Sequence, residues 1–365
     1  MDASSRYGFI NAKLRARIGL MRESHLLQDM EKTSNLVDAV SCMRDTGFAK
    51  VAKVYDETGD LQEMEYVLLT GEIGSYQEVA AALDAKPAAF VMQLLGKIEE
   101  DNLKNAIRLW FSSIVRLHSI RYRSEYLCKM KIVNDINWNA LINATDWKGV
   151  VASVKGTFYE PILSSFTQDK IHQFGLFDVE TAIDEGWYAR LMASLDLLPR
   201  EDQEVARKIF LSDFDLKNLL NLIRFGWYYR MDAKRLRTTI FPWGRLYGSK
   251  EVDAYIASPV DSRDPGMMVK RFYPQLSDEI QKVVGESKEG LHSEEAMARE
   301  TLRLERYLQN VRSKEYHQLL SMNPFTIAVP LAYFYLYRDM DASIRAILNG
   351  KYYGYCDEDI RGVLG

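Results

Sequence analysis

Residues 221–232 read NLIRFGWYYRMD, and residues 346–359 repeat much of that phrase as AILNGKYYGYCDED. When Gly226 is placed over Gly350, two tyrosines follow at the same distance in both stretches, and an isoleucine precedes each glycine by three residues. The two glycines are 124 residues apart. A phrase repeated at that spacing in a chain of 365 residues predicts that one structural module occurs more than once.

A third and weaker copy of the phrase lies earlier in the chain. Residues 99–111 read EEDNLKNAIRLWF and residues 215–227 read DLKNLLNLIRFGW. Placing Arg108 over Arg224 also aligns Asn102 with Asn218, at a separation of 116 residues. Because copies at these spacings fill the whole chain, we expect three helical modules, over residues 1–128, 129–240 and 241–365.

The repeated segments carry the periodicity of a helix. Leu103, Ile107, Trp110 and Ile114 recur at steps of four, three and four residues, which places them on one helix face. Sustained strand alternation is hard to find, so the sequence predicts an all-α fold. Each copy also places an acid four residues before a base, and such pairs stabilise a helix by about 0.2–0.5 kcal/mol each. The pairs are Glu100 with Lys104, Asp213 with Lys217, and Asp341 with Arg345.

Paired carboxylates recur in two of the predicted modules, as Asp213 with Asp215 and as Asp339 with Asp341. Such pairs suit a metal or acid–base site. Their recurrence at a similar point of two modules favours an electrostatic role at the start of a helix instead. The stretch SDFD at residues 212–215 also resembles a capping box, which leaves a helix break or a new helix start open there.

Composition and motifs argue against several classes of protein. The chain is 47% hydrophobic and 27% charged with a net charge of −4, which is typical of a globular protein and not of a nucleic-acid binder. It has neither a GxxxxGK[ST] phosphate loop nor a GxGxxG motif after a strand, and its five histidines and three cysteines are scattered. We therefore expect no catalytic residues, no metal site and no cofactor. The scattered cysteines and the lack of a leader-like segment predict a cytosolic chain.

Two further stretches contribute to the interpretation. Residues 116–131, RLHSIRYRSEYLCKMK, fit either a phosphate or nucleic-acid contact or a solvated helix between modules, and we favour the helix. Residues 325–337, FTIAVPLAYFYLY, are too few to span a bilayer. They predict a buried core helix, with Pro330 at a kink or in the first turn.

Three stretches carry a resemblance to a known family. They are YGFINAKLRARIGLM at residues 7–21, LERYLQ at residues 304–309, and NPFTIAVPLAYFYLYRDMDASIRAILNGKYYGYCDEDIRGVL at residues 323–364. Together with the length and the three copies, they resemble the C-type stalk subunit of the archaeal and bacterial V/A-type rotary ATPases, whose eukaryotic equivalent is the d-type subunit of the V-ATPase. The chain departs from the family pattern at Ser343, where asparagine is common, and at Arg338–Asp339, where Lys-Glu is usual.

The resemblance implies a non-catalytic subunit of the central stalk. Three similar helical domains would form a pseudo-threefold funnel, a socket that couples the rotating central shaft to the membrane proteolipid ring for ion transport. The expected partners are the shaft subunits of the ATPase head and the rotor-ring proteolipid, with no nucleic acid and with membrane contact only through these partners. The expected location is peripheral, on the cytoplasmic face of the membrane.

The repeat motif supplies the candidate structural or interface residues. These are Asn102, Arg108, Asn218, Arg224, Asp339, Arg345, Tyr352 and Tyr353. Large aromatic side chains at the repeated helix ends are further expected to pack module against module. They are Trp110, Trp227, Tyr228, Tyr352 and Tyr353.

Two other classes of protein remain as alternatives. One is a helical-repeat adaptor that binds a different protein, although an open solenoid would have many repeats of roughly 30–45 residues instead of three long ones. The other is an enzyme with an acid–base pair among Asp135, Asp146 and the acidic clusters, although no spacing singles out such a pair.

Overall fold

The computed structural model describes residues 3–23, 25–114, 127–288, 307–308 and 310–364. Every regular element in these ranges is helical and none is a strand, so the all-α class is confirmed. Residues 116–126 of the basic and aromatic stretch, and most of LERYLQ at 304–309, lie outside the described ranges. Among the described helices, none combines the length and the apolarity that a membrane crossing requires.

The helices are numbered in chain order, and residues 310–319 are also helical. Their bounds are α1 Ala3–Glu23, α2 Leu26–Lys32, α3 Leu36–Ser41, α4 Ala49–Thr58, α5 Leu61–Ala81, α6 Ala85–Ile114, α7 Trp138–Ile142, α8 Trp147–Ser153, α9 Tyr159–Ser164, α10 Gln168–Phe174, α11 Phe177–Asp196, α12 Arg200–Asn221, a π-helix Leu222–Tyr228, α13 Ala233–Arg237, α14 Lys250–Ala257, a 3₁₀ turn Val260–Ser262, α15 Pro265–Val269, α16 Pro274–Lys288, α17 Ala328–Tyr353 and α18 Asp357–Leu364.

The chain divides into two compact units. The first unit comprises Met1–Gln203 and Pro324–Ile360, and the second comprises Glu204–Asn323 and Arg361–Gly365. The first boundary falls near the start of α12, where Glu201 and Asp202 occupy the first turn directly after Pro199. Proline followed by acids is a helix-start signal, because the acids interact favourably with the positive end of the helix dipole.

Helix α6 is central to the packing of the first unit, since it contacts both α5 and α11. Leu103, Ile107 and Trp110 are fully buried, as their helical spacing predicts. They join side chains from α7 to α11 in one apolar cluster. The indole Nε1 of Trp110 donates to the Ala144 carbonyl at 2.9 Å, so this large side chain is buried with its polar atom satisfied.

Helix α17 is the predicted core helix. It begins at Ala328 and places Pro330 in its first turn, where a backbone N–H has no acceptor within the helix. Residues 328–334 are all buried, and the ring of Phe334 stacks on Tyr76 of α5 with centroids 3.9 Å apart. The helix also packs against α1, α2 and α3. The prediction of a buried core helix with Pro330 in its first turn is therefore confirmed.

In the second unit, α12 runs without interruption through residues 212–215, so the possible break at SDFD does not occur. Ser212 is buried, and its hydroxyl donates to Glu315 at 2.8 Å instead of capping a helix end. The helix then widens into a π-helix, in which Tyr229 N donates to the Arg224 carbonyl five residues earlier at 2.9 Å. Apolar side chains of α12 and the π-helix form one core with α13 to α16.

The repeated glycines, Gly226 and Gly350, are both sites of close approach. A Cβ atom on Gly226 would lie 2.9 Å from Leu236 Cδ2 and 3.0 Å from the Tyr255 hydroxyl. A Cβ atom on Gly350 would lie 2.5 Å from Ile360 Cγ1. In each unit, the element that follows the repeated helix therefore packs onto the glycine, which gives a physical reason for the glycine in both copies of the phrase.

Candidate functional site

The two repeated asparagines make the same pair of hydrogen bonds. Asn102 Nδ2 donates to the Cys128 carbonyl at 2.8 Å, and Asn102 Oδ1 accepts from Cys128 N at 3.2 Å. Asn218 Nδ2 donates to the Phe241 carbonyl at 3.0 Å, and Asn218 Oδ1 accepts from Phe241 N at 2.8 Å. Asn218 Nδ2 also reaches the Trp243 carbonyl at 3.1 Å. Each buried amide thus holds the backbone at one of the two predicted module boundaries, near residues 128 and 240.

The acids three residues before these asparagines also have matching roles. Glu99 Oε2 accepts from the backbone N–H groups of Val133 and Asn134 at 2.7 and 2.6 Å. Asp215 Oδ1 accepts from Leu246 N at 2.8 Å. Both carboxylates are fully buried, and backbone donors stabilise a buried carboxylate that has lost its water. The acid and the asparagine together hold the segment that follows each repeated helix.

The helix-start interpretation of the paired carboxylates is wrong. Asp213 and Asp215 lie in the interior of α12, and Asp339 and Asp341 lie in the interior of α17. Asp213 accepts a hydrogen bond from the Tyr316 hydroxyl at 3.0 Å. Asp213 and Asp215 bond to groups of other elements of the second unit, which the sequence alone does not reveal.

The third copy of the motif lies within a buried charge network of the first unit. Arg345 Nε donates to Asp341 Oδ2 at 2.7 Å, four residues away on α17. Arg338 Nε lies 3.3 Å from Glu72 Oε1 of α5. Burial raises the pKa of Glu72 and of Asp341, although the arginines oppose that shift. The network ties α17 to α5 through groups whose charges are costly to bury unpaired.

The backbone carbonyls of two of the candidates accept hydrogen bonds within their own helices. The Asp339 carbonyl accepts from the Ser343 hydroxyl at 2.9 Å, so the serine at the position where the family often has asparagine bonds within its own helix. Arg224 is half-buried in the π-helix, and its carbonyl accepts the hydrogen bond from Tyr229 that closes the wide turn.

Three of the candidates meet at one cleft of about 920 Å³ in the first unit. Asn102, Arg108 and Arg345 are among the residues that line it. Arg108 makes a two-pronged pair with Glu180, with Nε to Oε1 at 2.7 Å and Nη2 to Oε2 at 2.6 Å. Asn349 donates to Glu65, another lining residue, at 2.7 Å. The Arg108–Glu180 and Asn349–Glu65 pairs thus each join two helices at the cleft, which is the chemistry of a structural contact.

The aromatic residues divide between core and surface. Trp110 is fully buried and Trp227 is partly buried in the core of the second unit. Tyr352 and Tyr353 are 55% and 62% exposed, and their rings contact each other edge to face with centroids 5.0 Å apart. Within the first unit, the expected packing of these two tyrosines against another module is not observed, because both side chains are more than half exposed in the last turn of α17.

The sequence predicted only one pair, Glu100 with Lys104, of a larger cluster of charged side chains. Lys97, Glu100 and Lys104 of α6 converge with Asp184 of α11, and Lys104 Nζ lies 2.8 Å from both Glu100 Oε1 and Asp184 Oδ1. Glu100 is fully buried, so its pairing with Lys104 is not the weak helix pair that the spacing predicts. Asp184 carries no sequence signal, because its partners lie 80 and more residues earlier in the chain.

Within the described residues, no three His, Cys, Asp or Glu side chains are arranged to hold a metal ion. Comparison with known families gives one finding. The family described as ATP synthase (C/AC39) subunit matches residues 10–363. No curated protein matches the chain.

Proposed function

The chain belongs to the C/AC39 subunit family of V/A-type ATP synthase, and from that membership we propose that it is a non-catalytic subunit of the central stalk. In this proposal it is a socket that couples the rotating shaft to the membrane proteolipid ring, for ion transport linked to ATP hydrolysis or synthesis. The family match over residues 10–363 carries the proposal. The absence of a phosphate-binding loop from the sequence supports a coupling role without nucleotide chemistry.

The contacts inside the chain support a part that transmits force. Torque passes only through a body that deforms little, and close-packed helices with paired buried groups have low compressibility. The reciprocal hydrogen bonds of Asn102 and Asn218 hold the segments after two of the repeated helices. The ion pair of Arg338 with Glu72 joins α17 to α5. We further propose that the repeats form three modules of similar fold, arranged as a funnel around the shaft.

The exposed tyrosines support a contact with another subunit of the complex. Tyr352, Tyr353 and Tyr355 are all more than half exposed, and neighbouring rings lie 5.0 and 6.2 Å apart. Tyrosine is enriched at protein interfaces, because it offers a large apolar ring and a hydroxyl that hydrogen-bonds at the rim. We therefore propose Tyr352 and Tyr353 as interface residues toward the shaft or the proteolipid ring, on the cytoplasmic face of the membrane.

Co-purification tests the proposal. The full chain, tagged and expressed in its source cells, should purify from detergent-solubilised membranes with the head, the shaft subunits and the ring proteolipid. The double variant Tyr352→Ser/Tyr353→Ser should lower that yield severalfold, whereas Tyr247→Ser, at another exposed tyrosine, should leave it unchanged. Recovery of the wild-type chain without any ATPase subunit would overturn the proposal.

A further inference from the structure

Five charged side chains converge where α6 meets α11. Lys97 Nζ lies 2.9 Å from Glu100 Oε2 and 3.1 Å from Asp184 Oδ1. Lys104 Nζ lies 2.8 Å from Glu100 Oε1 and 2.8 Å from the same Asp184 oxygen. Asp101 Oδ1 lies 3.1 Å from Lys97 Nζ and 3.4 Å from Lys104 Nζ. Both ammonium groups therefore bridge Glu100 and Asp184, and both also contact Asp101.

The charges of this cluster do not balance when every group is ionised. Three carboxylates face two ammonium groups, so these five side chains sum to one negative charge, beside Glu100, a side chain with no exposed surface. A buried excess of negative charge favours the protonated form of a carboxyl group. One additional proton would make the cluster neutral.

Glu100 and Asp184 also lie close together, because each ammonium group contacts an oxygen of both carboxyl groups. Two carboxylates that share a site disfavour each other's ionised form, and a proton bound by one of them removes that repulsion. The contact geometry and the charge count thus point to the same added proton.

We propose that Glu100 and Asp184 bind one exchangeable proton between them, so that the contact between α6 and α11 tightens when the proton is present and loosens when it leaves. This inference concerns a proton-binding site in the isolated chain. It goes beyond the proposed coupling function and does not depend on it.

The directions of the pKa shifts in the cluster support this pair as the site of the proton. Complete burial raises the pKa of Glu100 to about 7, against the opposing charges of Lys97 and Lys104. Burial lowers the pKa of Lys97, but Glu100, Asp101 and Asp184 outweigh burial and raise it. Burial favours a protonated Asp101, but the two lysines outweigh burial and lower its pKa. The lysines therefore stay charged and Asp101 stays ionised while Glu100 titrates.

Further charged or titratable groups act on the cluster from its own two helices and from two others. On α6 they are Lys97, Asp101, Lys104 and Arg108, and on α11 they are Glu180, Glu185 and Tyr188. Arg338 of α17 acts on Asp101, and Tyr159 of α9 lies within electrostatic range of Glu100. Burial and the charge of Asp184 raise the pKa of Glu185 as well, so the Glu100→Gln variant is needed to assign the loss of a proton near neutral pH to Glu100 and Asp184.

The sign of the effect follows from the direction of the shift. The pKa of Glu100 is higher in the folded chain than its ordinary value of 4.5, so the folded chain binds the proton more tightly than the unfolded chain. The stability that the bound proton gives the folded chain is fully present at pH values below 4.5. It is lost as the pH rises through the folded pKa of about 7. Raising the pH from about 5 to about 8 should therefore loosen α11 from α6.

The test compares Glu100→Gln with the wild type in the full isolated chain. Glutamine keeps the shape of a protonated glutamate and donates a hydrogen bond to Asp184, so the variant should fold and should lack the pH response. The unfolding equilibrium constant is measured by urea denaturation at several pH values. Between about pH 5 and pH 8, it should rise roughly 50-fold more in the wild type than in Glu100→Gln. Glu57→Gln is the matched control, since Glu57 pairs with Lys53 four residues away on an exposed helix face.

A local readout accompanies the unfolding measurement. Amide hydrogen exchange of residues 177–196, corrected for the intrinsic rate at each pH, should lose protection on deprotonation in the wild type and not in Glu100→Gln. Asp184→Asn should behave like Glu100→Gln, because its amide donates to an ionised Glu100. Equal pH slopes in the wild type and Glu100→Gln, or a Glu100→Gln chain that is unfolded at every pH, would overturn the proposal.

Discussion

Asn102 and Asn218 link the sequence repeat to the structure at the scale of single residues. Alignment of the repeated phrases brought the two asparagines together, and the structure gives both the same reciprocal bonds to a backbone amide. The sequence did not reveal the bonded residues, Cys128 and Phe241. They lie 26 and 23 residues further along the chain, and they are different amino acids, so the repeat does not align them by type. An amide side chain at a fixed point of a helix is visible in a sequence, whereas its backbone partner depends on the course of the chain.

We expect Asn102→Ala and Asn218→Ala each to lower the free energy of unfolding by about 1–3 kcal/mol, because each leaves a buried backbone N–H and carbonyl without a partner. Asn143→Ala is the matched control, since Asn143 is exposed and bonds only within its own turn. Its cost should stay within about 0.5 kcal/mol. Urea denaturation of the three variants measures these differences. Equal, small losses at all three positions would show that the reciprocal bonds do not stabilise the fold.

Helices were the elements that the sequence predicted best. The start of α12 after Pro199 and the buried α17 both follow from local signals, namely proline with acids and a continuous apolar run. The possible helix break at SDFD does not occur, because Ser212 and Asp215 bond to residues of other elements instead of capping a helix end. The cluster of Lys97, Glu100, Lys104 and Asp184 was missed for the same reason, since two helices far apart in sequence build it.

The repeated glycines allow a prediction about how helices contact the elements that follow them. Gly226→Ala and Gly350→Ala should each destabilise the chain by about 1–3 kcal/mol, because the new methyl group overlaps Leu236 or Ile360. Gly74→Ala, in the interior of α5 with open space around the added atom, should stabilise the chain by about 0.5–1 kcal/mol through helix propensity. Thermal unfolding of the three variants provides the comparison. Stabilisation at all three positions would contradict the close approach at the repeated glycines.

At the scale of the whole molecule, the family match over residues 10–363 supports the proposed function. The all-α class followed from the helical periodicity, and the family resemblance followed mainly from residues 323–364. The exposure of Tyr352 and Tyr353 did not follow, because helical spacing shows which residues share a face and not which face another protein will cover. The pairing of Arg338 with Glu72 likewise depends on how α17 packs against α5.

The most direct test of the central claim measures ATP hydrolysis and ion transport together in vesicles that carry the purified rotary complex with and without this chain. If the chain couples shaft to ring, the complex without it should continue to hydrolyse ATP and should transport no ions, and adding back the wild-type chain should restore transport. Ion transport at the full rate per ATP in the absence of the chain would contradict the coupling role.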